Sequence, residues 1–340
     1  MRVRRDIEVK GMQFKRSMTI LPDGEDPIKA QKGAELISCK DSANRPSDFV
    51  ALLKLCAKKN DLQKGSQIHA HILKDGMNFL QNNVYVGSAL VNMYAKCGEL
   101  AKAQEVFDEL PVRNVVTWSA LITGYTQHGH GEKALICFEE MKRDGIIPNV
   151  VTFLCILKAC ASIRALGKGQ AIHAEIVKEG LLEGNTSIGN VLVDMYAKCG
   201  ELEKSEEVFD SLPYRDVVSW NTLLTGYTHH GHCRKALHCY ERMQQEGLSP
   251  DAFTYVCILG ACGSMGSRKK GEAIHAKILK ENLLAQNVLV GNALVDMYSK
   301  CGAHRKAQEV FDELPVRNVV TWNALITGHV QHGHAKEALY

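Results

Sequence analysis

The stretch KAQEVFDELPVRNVVTW, Lys102–Trp118, recurs letter for letter at Lys306–Trp322. Between them, Glu206–Trp220 reads EEVFDSLPYRDVVSW, a close copy of the same passage. A period of 102 residues therefore runs along the chain, and other segments keep it. MYAKCGEL stands at Met93–Leu100 and again at Met195–Leu202, with MYSKCG at Met297–Gly302. AIHAEIVKEG at Ala171–Gly180 is echoed by AIHAKILKEN at Ala273–Asn282 and by QIHAHILKDG at Gln67–Gly76. Repetition on this scale marks an array whose units are too small to bury a core alone and must stack on their neighbours.

Each period divides into three unequal units. They run 84–114, 115–149 and 150–185, then 186–216, 217–251 and 252–287, then 288–318 and a fragment, 319–340. A further unit, 46–83, aligns with 150–185 apart from two extra residues near Phe79. Within 115–149, Trp118, Leu121, Ile122 and Tyr125 fall at i, i+3, i+4 and i+7, one face of a first helix. HGHG at His128–Gly131 interrupts it. Ala134, Leu135, Phe138 and Met141 then mark the inner face of a second helix, and Gly145 and Pro148 suit its end. The expected fold is all-α, a right-handed α-solenoid of stacked helix-turn-helix repeats over 46–340. Residues 1–45 lack the period and hold PDGEDP at Pro22–Pro27, so they read as a flexible segment or the remnant of a unit.

Composition narrows the function classes. The chain has 340 residues, 45% of them hydrophobic, and a formal net charge of +3. A partner held by bulk electrostatics, such as duplex DNA, calls for more positive charge. No apolar run reaches the length of a membrane helix. Twelve cysteines in a chain of this size, several at repeat spacing, fit reduced and packed thiols better than a disulfide framework. Near the N-terminus Arg2, Arg4 and Arg5 are accompanied by Asp6 and Glu8, a poor match to an acid-free transit peptide.

NVVTWSALITGYTQHGHGEKALICFEEMKRDGIIPN (Asn114–Asn149), NALVDMYSKCGAHRKAQEVFDELPVRN (Asn292–Asn318) and VTFLCILKACASIRALGKGQAIHAEIVKEG (Val151–Gly180) resemble the P, S and L motifs of plant pentatricopeptide repeat (PPR) proteins. The order is that of the PLS subclass: L 46–83, S 84–114, P 115–149, L 150–185, S 186–216, P 217–251, L 252–287, S 288–318 and partial P 319–340. The resemblance implies binding of single-stranded RNA in a mitochondrion or chloroplast, about one base per repeat. It further implies site recognition for C-to-U editing, with no membrane or DNA partner and no cofactor. The deaminase signature, His-x-Glu with Cys-x-x-Cys, is absent from these 340 residues. Any deamination is therefore expected from a C-terminal extension or a deaminase and editing proteins supplied in trans.

By the same resemblance the fifth and last residues of each unit read the base. Ser88 with Asn114 and Ser119 with Asn149 should prefer adenine. Asn190 with Asp216 and Asn221 with Asp251 should prefer uracil. Asn292 with Asn318 should prefer cytosine and then uracil, and Asn323 a pyrimidine. Val50, Leu154 and Val256 stand at the fifth position of the L units and offer no hydrogen bond. With the N-terminal repeat toward the 5′ end, the expected target is 5′-nAAnUUnYY-3′. The resemblance also assigns stacking between bases to Tyr85, Val116, Val218, Leu289 and Val320, and phosphate contacts to Lys96, Lys198 and Lys300.

Each of these has a plainer counterpart. Asn114, Asp216 and Asn318 sit where helix caps belong, the second-position residues could pack on the next unit, and the lysines suit a helix C-terminus. Cys97, Cys199 and Cys301 read as buried packing thiols, as do Cys155 and Cys160 with their copies Cys257 and Cys262. His69, His173 and His275 read as packed core histidines. The HGH triplets and the cluster from His229 to Cys239 lack the convergent spacing of a zinc site, so no metal is expected. No Ser-His-Asp triad or phosphate loop occurs, and the chain is not expected to be an enzyme. The alternative to RNA reading is an α-solenoid scaffold for proteins.

Overall fold

In a computed structural model of the chain, residues 45–74 and 83–333 are described. The N-terminal segment singled out above lies outside them, apart from Arg45. Helices come in pairs: α1 (Pro46–Lys59) and α2 (Leu62–Lys74), α3 (Val84–Lys96) and α4 (Leu100–Glu109), α5 (Val115–Gln127) and α6 (Gly131–Arg143), α7 (Val150–Ile163) and α8 (Leu166–Lys178). The series continues with α9 (Thr186–Lys198) and α10 (Leu202–Ser211), α11 (Val217–His229) and α12 (Cys233–Gln245), α13 (Ala252–Ser264) and α14 (Arg268–Lys280). After a single turn, Leu283–Gln286, come α15 (Val288–Lys300), α16 (His304–Glu313) and α17 (Val319–Gln331). No strand occurs among the described residues. The expected α-solenoid is the fold observed.

The two helices of a pair start and stop by different chemistry. Most first helices are capped by a side chain: Asn83, Asn114, Asn149, Asp216, Asp251, Asn287 and Asn318 each accept from backbone N–H groups of the first turn, whereas Arg45 and Asn185 before α1 and α9 do not. Asp216, Asp251 and Asn318 form full capping boxes with Ser219, Thr254 and Thr321. Second helices follow tight left-handed turns, made by glycine at most units and by Asn60 and Arg164 before α2 and α8. Of their starts only that of α2 has a side-chain cap, Asp61 accepting from the Lys64 N–H. At Gly98 (φ +83°) the Glu99 N–H reaches the Tyr94 carbonyl at 3.0 Å, closing the end of α3 in the αL geometry that glycine adopts without strain.

Every first helix packs on the first helix of the next pair, whereas second helices pack on first helices rather than on one another. The buried face found in the sequence holds: Trp118, Leu121, Ile122, Tyr125, Ala134, Leu135, Phe138 and Met141 are all buried. At three equivalent junctions a phenylalanine of the second helix meets a tryptophan of the next first helix edge to face, Phe107–Trp118 and Phe311–Trp322 at 4.6 Å and Phe209–Trp220 at 4.7 Å. First helices come close where glycine faces a small residue. A Cβ placed on Gly124 would stand 2.6 Å from the Ala95 Cβ, and one on Gly226 2.9 Å from the Ala197 Cβ. The second helices are instead bridged by long charged side chains, including Lys142–Glu175 at 2.7 Å, Lys168–Glu139 at 2.8 Å and Arg242–Asp210 at 2.7 Å. The first helices thus form a continuous layer, and the second helices a row joined by charged side chains.

The cysteines pack, with one correction to where they sit. Cys97, Cys199 and Cys301 are half-buried rather than buried, because they stand at the C-caps of α3, α9 and α15, where the chain turns away from the core. Their sulfurs lie 4.0, 3.9 and 3.9 Å from the sulfurs of Met93, Met195 and Met297. Burial still pushes all three thiols up from their ordinary value, away from the thiolate that reactivity requires. Of the second cysteine series, Cys160 and Cys262 are fully buried and pushed up to about 12 and about 11 by burial. Cys155 and Cys257 are only half-buried, since they face the neighbouring unit's Thr123 and Thr225 across the junction.

Candidate nucleic-acid interface

Because the first helices form one continuous layer, equivalent residues on them line up in rows. The second residues of seven units form an exposed apolar row, with the exposed Ser47 and Ser187 as the polar exceptions. Tyr85, Val116, Val218, Leu289 and Val320 are between 54 and 70% exposed. Val151 and Phe253, both 52% exposed, belong to the same row although sequence reasoning passed over them. Phe253 adds a second aromatic ring to Tyr85. Exposed apolar side chains scattered singly need no explanation, but a row repeated along one face does.

The fifth residues lie one helical turn further on, and most are nearly enclosed. Ser88, Ser119, Asn221 and Asn292 are buried at the junction with the following unit, Asn190 is half-buried and Asn323 is exposed. Two of them, Asn221 and Asn292, pair with the residue that caps the next first helix, so there the fifth and last residues converge. Asn221 donates from Nδ2 to both carboxylate oxygens of Asp251, at 3.0 and 3.2 Å. Asn292 donates to the Oδ1 of Asn318 at 3.4 Å. Burial alone would push the Asp251 carboxyl up, but hydrogen bonds from Thr254, Asn221 and the Phe253 N–H outweigh it and hold the group below its ordinary value. Capping and convergence thus coexist in one residue. Asn149 and Asp251 are caps as well, beyond the three recognised from sequence.

A third residue completes each junction and was absent from the sequence reading: the hydroxyl at the third position of the next unit. Ser88 Oγ and Thr117 Oγ1 stand 2.7 Å apart, and Ser119 Oγ and Thr152 Oγ1 2.8 Å. Thr254 donates to the Asn221 Oδ1 at 2.7 Å, and Thr321 donates to the Asn292 Oδ1. Where the fifth residue is Val50, Leu154 or Val256, the third position of the next unit holds Val86, Ile188 or Val290, all fully buried. Polar junctions and apolar junctions therefore alternate in a fixed order along the layer.

An open groove of about 460 Å³ runs past the first of these junctions, lined by Tyr85, Ser88, Lys96, Val116, Ser119 and Asn149 among others. It places Lys96 beside the second- and fifth-position rows, together with Lys54, a further cation that the sequence reading missed. The three expected lysines are not equivalent. Lys198 and Lys300 bind Asp194 at 2.8 Å and Asp296 at 2.7 Å, one turn earlier on the same helix. At the matching position before Lys96 stands Asn92, which carries no charge.

The histidines have structural partners. His128 and His230 approach the carbonyls of Ala95 and Ala197 through Nε2, at 3.0 and 2.8 Å, and so cap the end of the preceding unit's first helix. His69, His173 and His275 meet the hydroxyls of Tyr94, Tyr196 and Tyr298 through Nδ1 at 2.9 to 3.0 Å, and burial holds their pKa values below the usual imidazole range. No group of three or more metal-ligating side chains gathers among the described residues.

Comparison with known proteins agrees with this geometry. The PPR repeat family model matches residues 113–162 and 215–264, and the PPR repeat model matches 88–115, 190–217, 292–319 and 320–340. A chloroplastic pentatricopeptide repeat-containing protein of Arabidopsis thaliana is 41% identical over 296 residues, 86% of this chain and 47% of its own. A mitochondrial one from the same plant is 40% identical over 294 residues, 86% of this chain and 45% of its own. The chain thus spans about half the length of the curated relatives it matches. Among solved structures, the pentatricopeptide repeat protein PPR10 from maize superposes with a TM-score of 0.69 at 18% identity, over 91% of this chain and 51% of that one. PPR10 in complex with an 18-nt psaJ RNA element gives 0.68 at 19% identity, over 87% and 47%. At such identities the likeness speaks for the fold, and together with the sequence matches it places the chain in the pentatricopeptide repeat family.

Proposed function

We propose that the chain reads single-stranded RNA along its first-helix layer, one base at each polar junction. The observation that carries this is the convergence of fifth residue and cap at the Asn221–Asp251 and Asn292–Asn318 junctions, beside the exposed apolar Val218, Phe253, Leu289 and Val320. A base inserted there meets an apolar surface on its faces and a small hydrogen-bonding pair at its edge, the two elements of single-strand recognition. The Asn221 carboxamide engages protein through one N–H and one lone pair, which leaves the other N–H and lone pair for a base edge. The acceptor-only carboxylate of Asp216 or Asp251 favours the N3–H donor of uracil. The amide of Asn318 adds a donor that suits the N3 acceptor of cytosine. The apolar junctions at Val50, Leu154 and Val256 read weakly.

The target is 5′-nAAnUUnYY-3′, on the L-S-P division of units given above. The chain serves site recognition for C-to-U editing in a mitochondrion or chloroplast, with the deamination supplied by a C-terminal extension or by a partner. Organellar placement is supported by the chloroplastic and mitochondrial names of the relatives. A binding assay at fixed salt tests the reading. The target RNA should bind more tightly than one with its U-U replaced by A-A, and equal affinity for the two would sink it. A protein scaffold would bind neither.

The lysines add position without sequence information. Lys96→Ala should flatten the slope of log affinity against log salt by about 0.7, the value for one phosphate contact on a single strand. Lys198→Ala and Lys300→Ala should change it less, because Asp194 and Asp296 already offset those charges. The slopes are measured by titrating the target RNA at several salt concentrations, and equal changes in all three variants would refute the ranking.

A further inference from the structure

We infer that the third-position hydroxyls, Thr117, Thr152, Ser219, Thr254 and Thr321, are positioning residues that set how sharply each junction discriminates bases. The inference rests on the RNA-reading function proposed above and names the group that makes the reading specific.

Their burial is the first argument. All five are fully buried, and an enclosed hydroxyl is costly unless it is hydrogen-bonded. The fold does not demand oxygen at this place, since Val86, Ile188 and Val290 occupy it at three other junctions. The hydroxyl is present wherever the fifth residue is polar and absent wherever it is aliphatic. A residue needed only for capping would not follow the neighbour's side chain in this way, because Asn83 and Asn287 cap helices whose third residue is Val86 or Val290.

Geometry supplies the second argument. A carboxamide turned by half a rotation exchanges its donor and its acceptor while keeping its shape, so a reading asparagine must be fixed at both ends. Asp251 accepts only, so it draws the Nδ2 of Asn221 toward itself. Thr254 holds the other end: it receives the Asp251 N–H at 3.2 Å, and its single proton faces the Asn221 Oδ1 at 2.7 Å as well as the Asp251 Oδ1 at 2.8 Å, so it touches both members of the pair. Thr321 does the same between Asn318 and Asn292.

One junction lacks this lock. Asn190 and Asp216 form the same Asn–Asp pair, but the third-position residue is serine. The Ser219 hydroxyl engages only Asp216, at 2.9 Å to Oδ1 and 3.3 Å from the backbone N–H. The Asn190 Oδ1 is left buried without a partner. Two junctions that should read the same base therefore differ in how firmly the reading group is held.

The test compares the target RNA with RNAs carrying a single U-to-C change at the fifth nucleotide, read by Asn190, or the sixth, read by Asn221. The wild-type chain should discriminate more strongly at the sixth. Thr254→Val should cut that discrimination on the order of tenfold, the worth of one lost hydrogen bond to a polar group, and leave discrimination at the fifth unchanged. Ser219→Thr should raise discrimination at the fifth. If Thr254→Val weakens binding to every RNA by the same factor, or Ser219→Thr changes nothing, the hydroxyl is merely structural and the inference falls. If the wild-type chain prefers no base at either nucleotide, the RNA-reading proposal itself fails.

Discussion

Trp220→Ala is expected to remove about 3–5 kcal/mol, the cost of deleting a large buried aromatic side chain. The indole is fully buried, meets Phe209 edge to face at 4.7 Å and lies under the Arg242 guanidinium at 5.4 Å. It therefore joins three helices, α10, α11 and α12, and holds two neighbouring units together. In a solenoid each unit contacts only its neighbours, so stability is a sum of local and interface contributions. The damage should stay local, and the array should lose its single transition. Hydrogen exchange is expected to accelerate across α10 to α12 while α3 to α6 keep their protection. A uniform loss of protection along the chain, or an unchanged melting profile, would contradict this.

Gly124→Val is expected to cost about 1–3 kcal/mol through overpacking. Its sharper companion is Gly124→Ala. Helix propensity alone predicts that this change stabilises α5 by about 1 kcal/mol. The new methyl, however, would lie 2.6 Å from the Ala95 Cβ and 3.3 Å from its Cα, and backbone does not step aside. The sign should therefore reverse, with Gly124→Ala less stable than the parent. Gly260→Ala in α13 is the control, because no atom lies within 4 Å of the added methyl and propensity should prevail. Urea midpoints of the two alanine variants should shift in opposite directions. Shifts in the same direction would show that the close approach of α3 and α5 is not what places glycine there.

The parts of the molecule legible in the sequence were those written within one unit. The apolar spacing of Trp118, Leu121, Ile122 and Tyr125 described a helix face, and Asn114 described its cap. What escaped lies between units. The pairing of Thr254 with Asn221 joins residues 33 positions apart, and no spacing rule ties the two before the stacking of first helices is known. The His128 contact to the Ala95 carbonyl was missed for the same reason. Cys97 was read as buried because helical periodicity was carried one residue past the helix, where the chain had already turned. Phe253 was overlooked because the second-position row was read only in the units that also carry polar fifth residues. The Asp194 and Asp296 partners of the lysines stand in plain view at i−4, a spacing that should have signalled an ion pair.

The bridging of second helices by long charged side chains has a mechanical consequence. Exposed pairs such as Lys168–Glu139 and Lys270–Glu241 add little stability and weaken with salt. The first-helix layer is close-packed and yields little. The molecule should thus act as a leaf spring, stiff along its first-helix strip and compliant along its second-helix one, with bending that opens or closes the second-helix gaps. The distance from one junction to the next along the first-helix strip is then expected to stay constant. A strand lying there meets a ruler whose graduations do not stretch, even when the ruler itself is flexed.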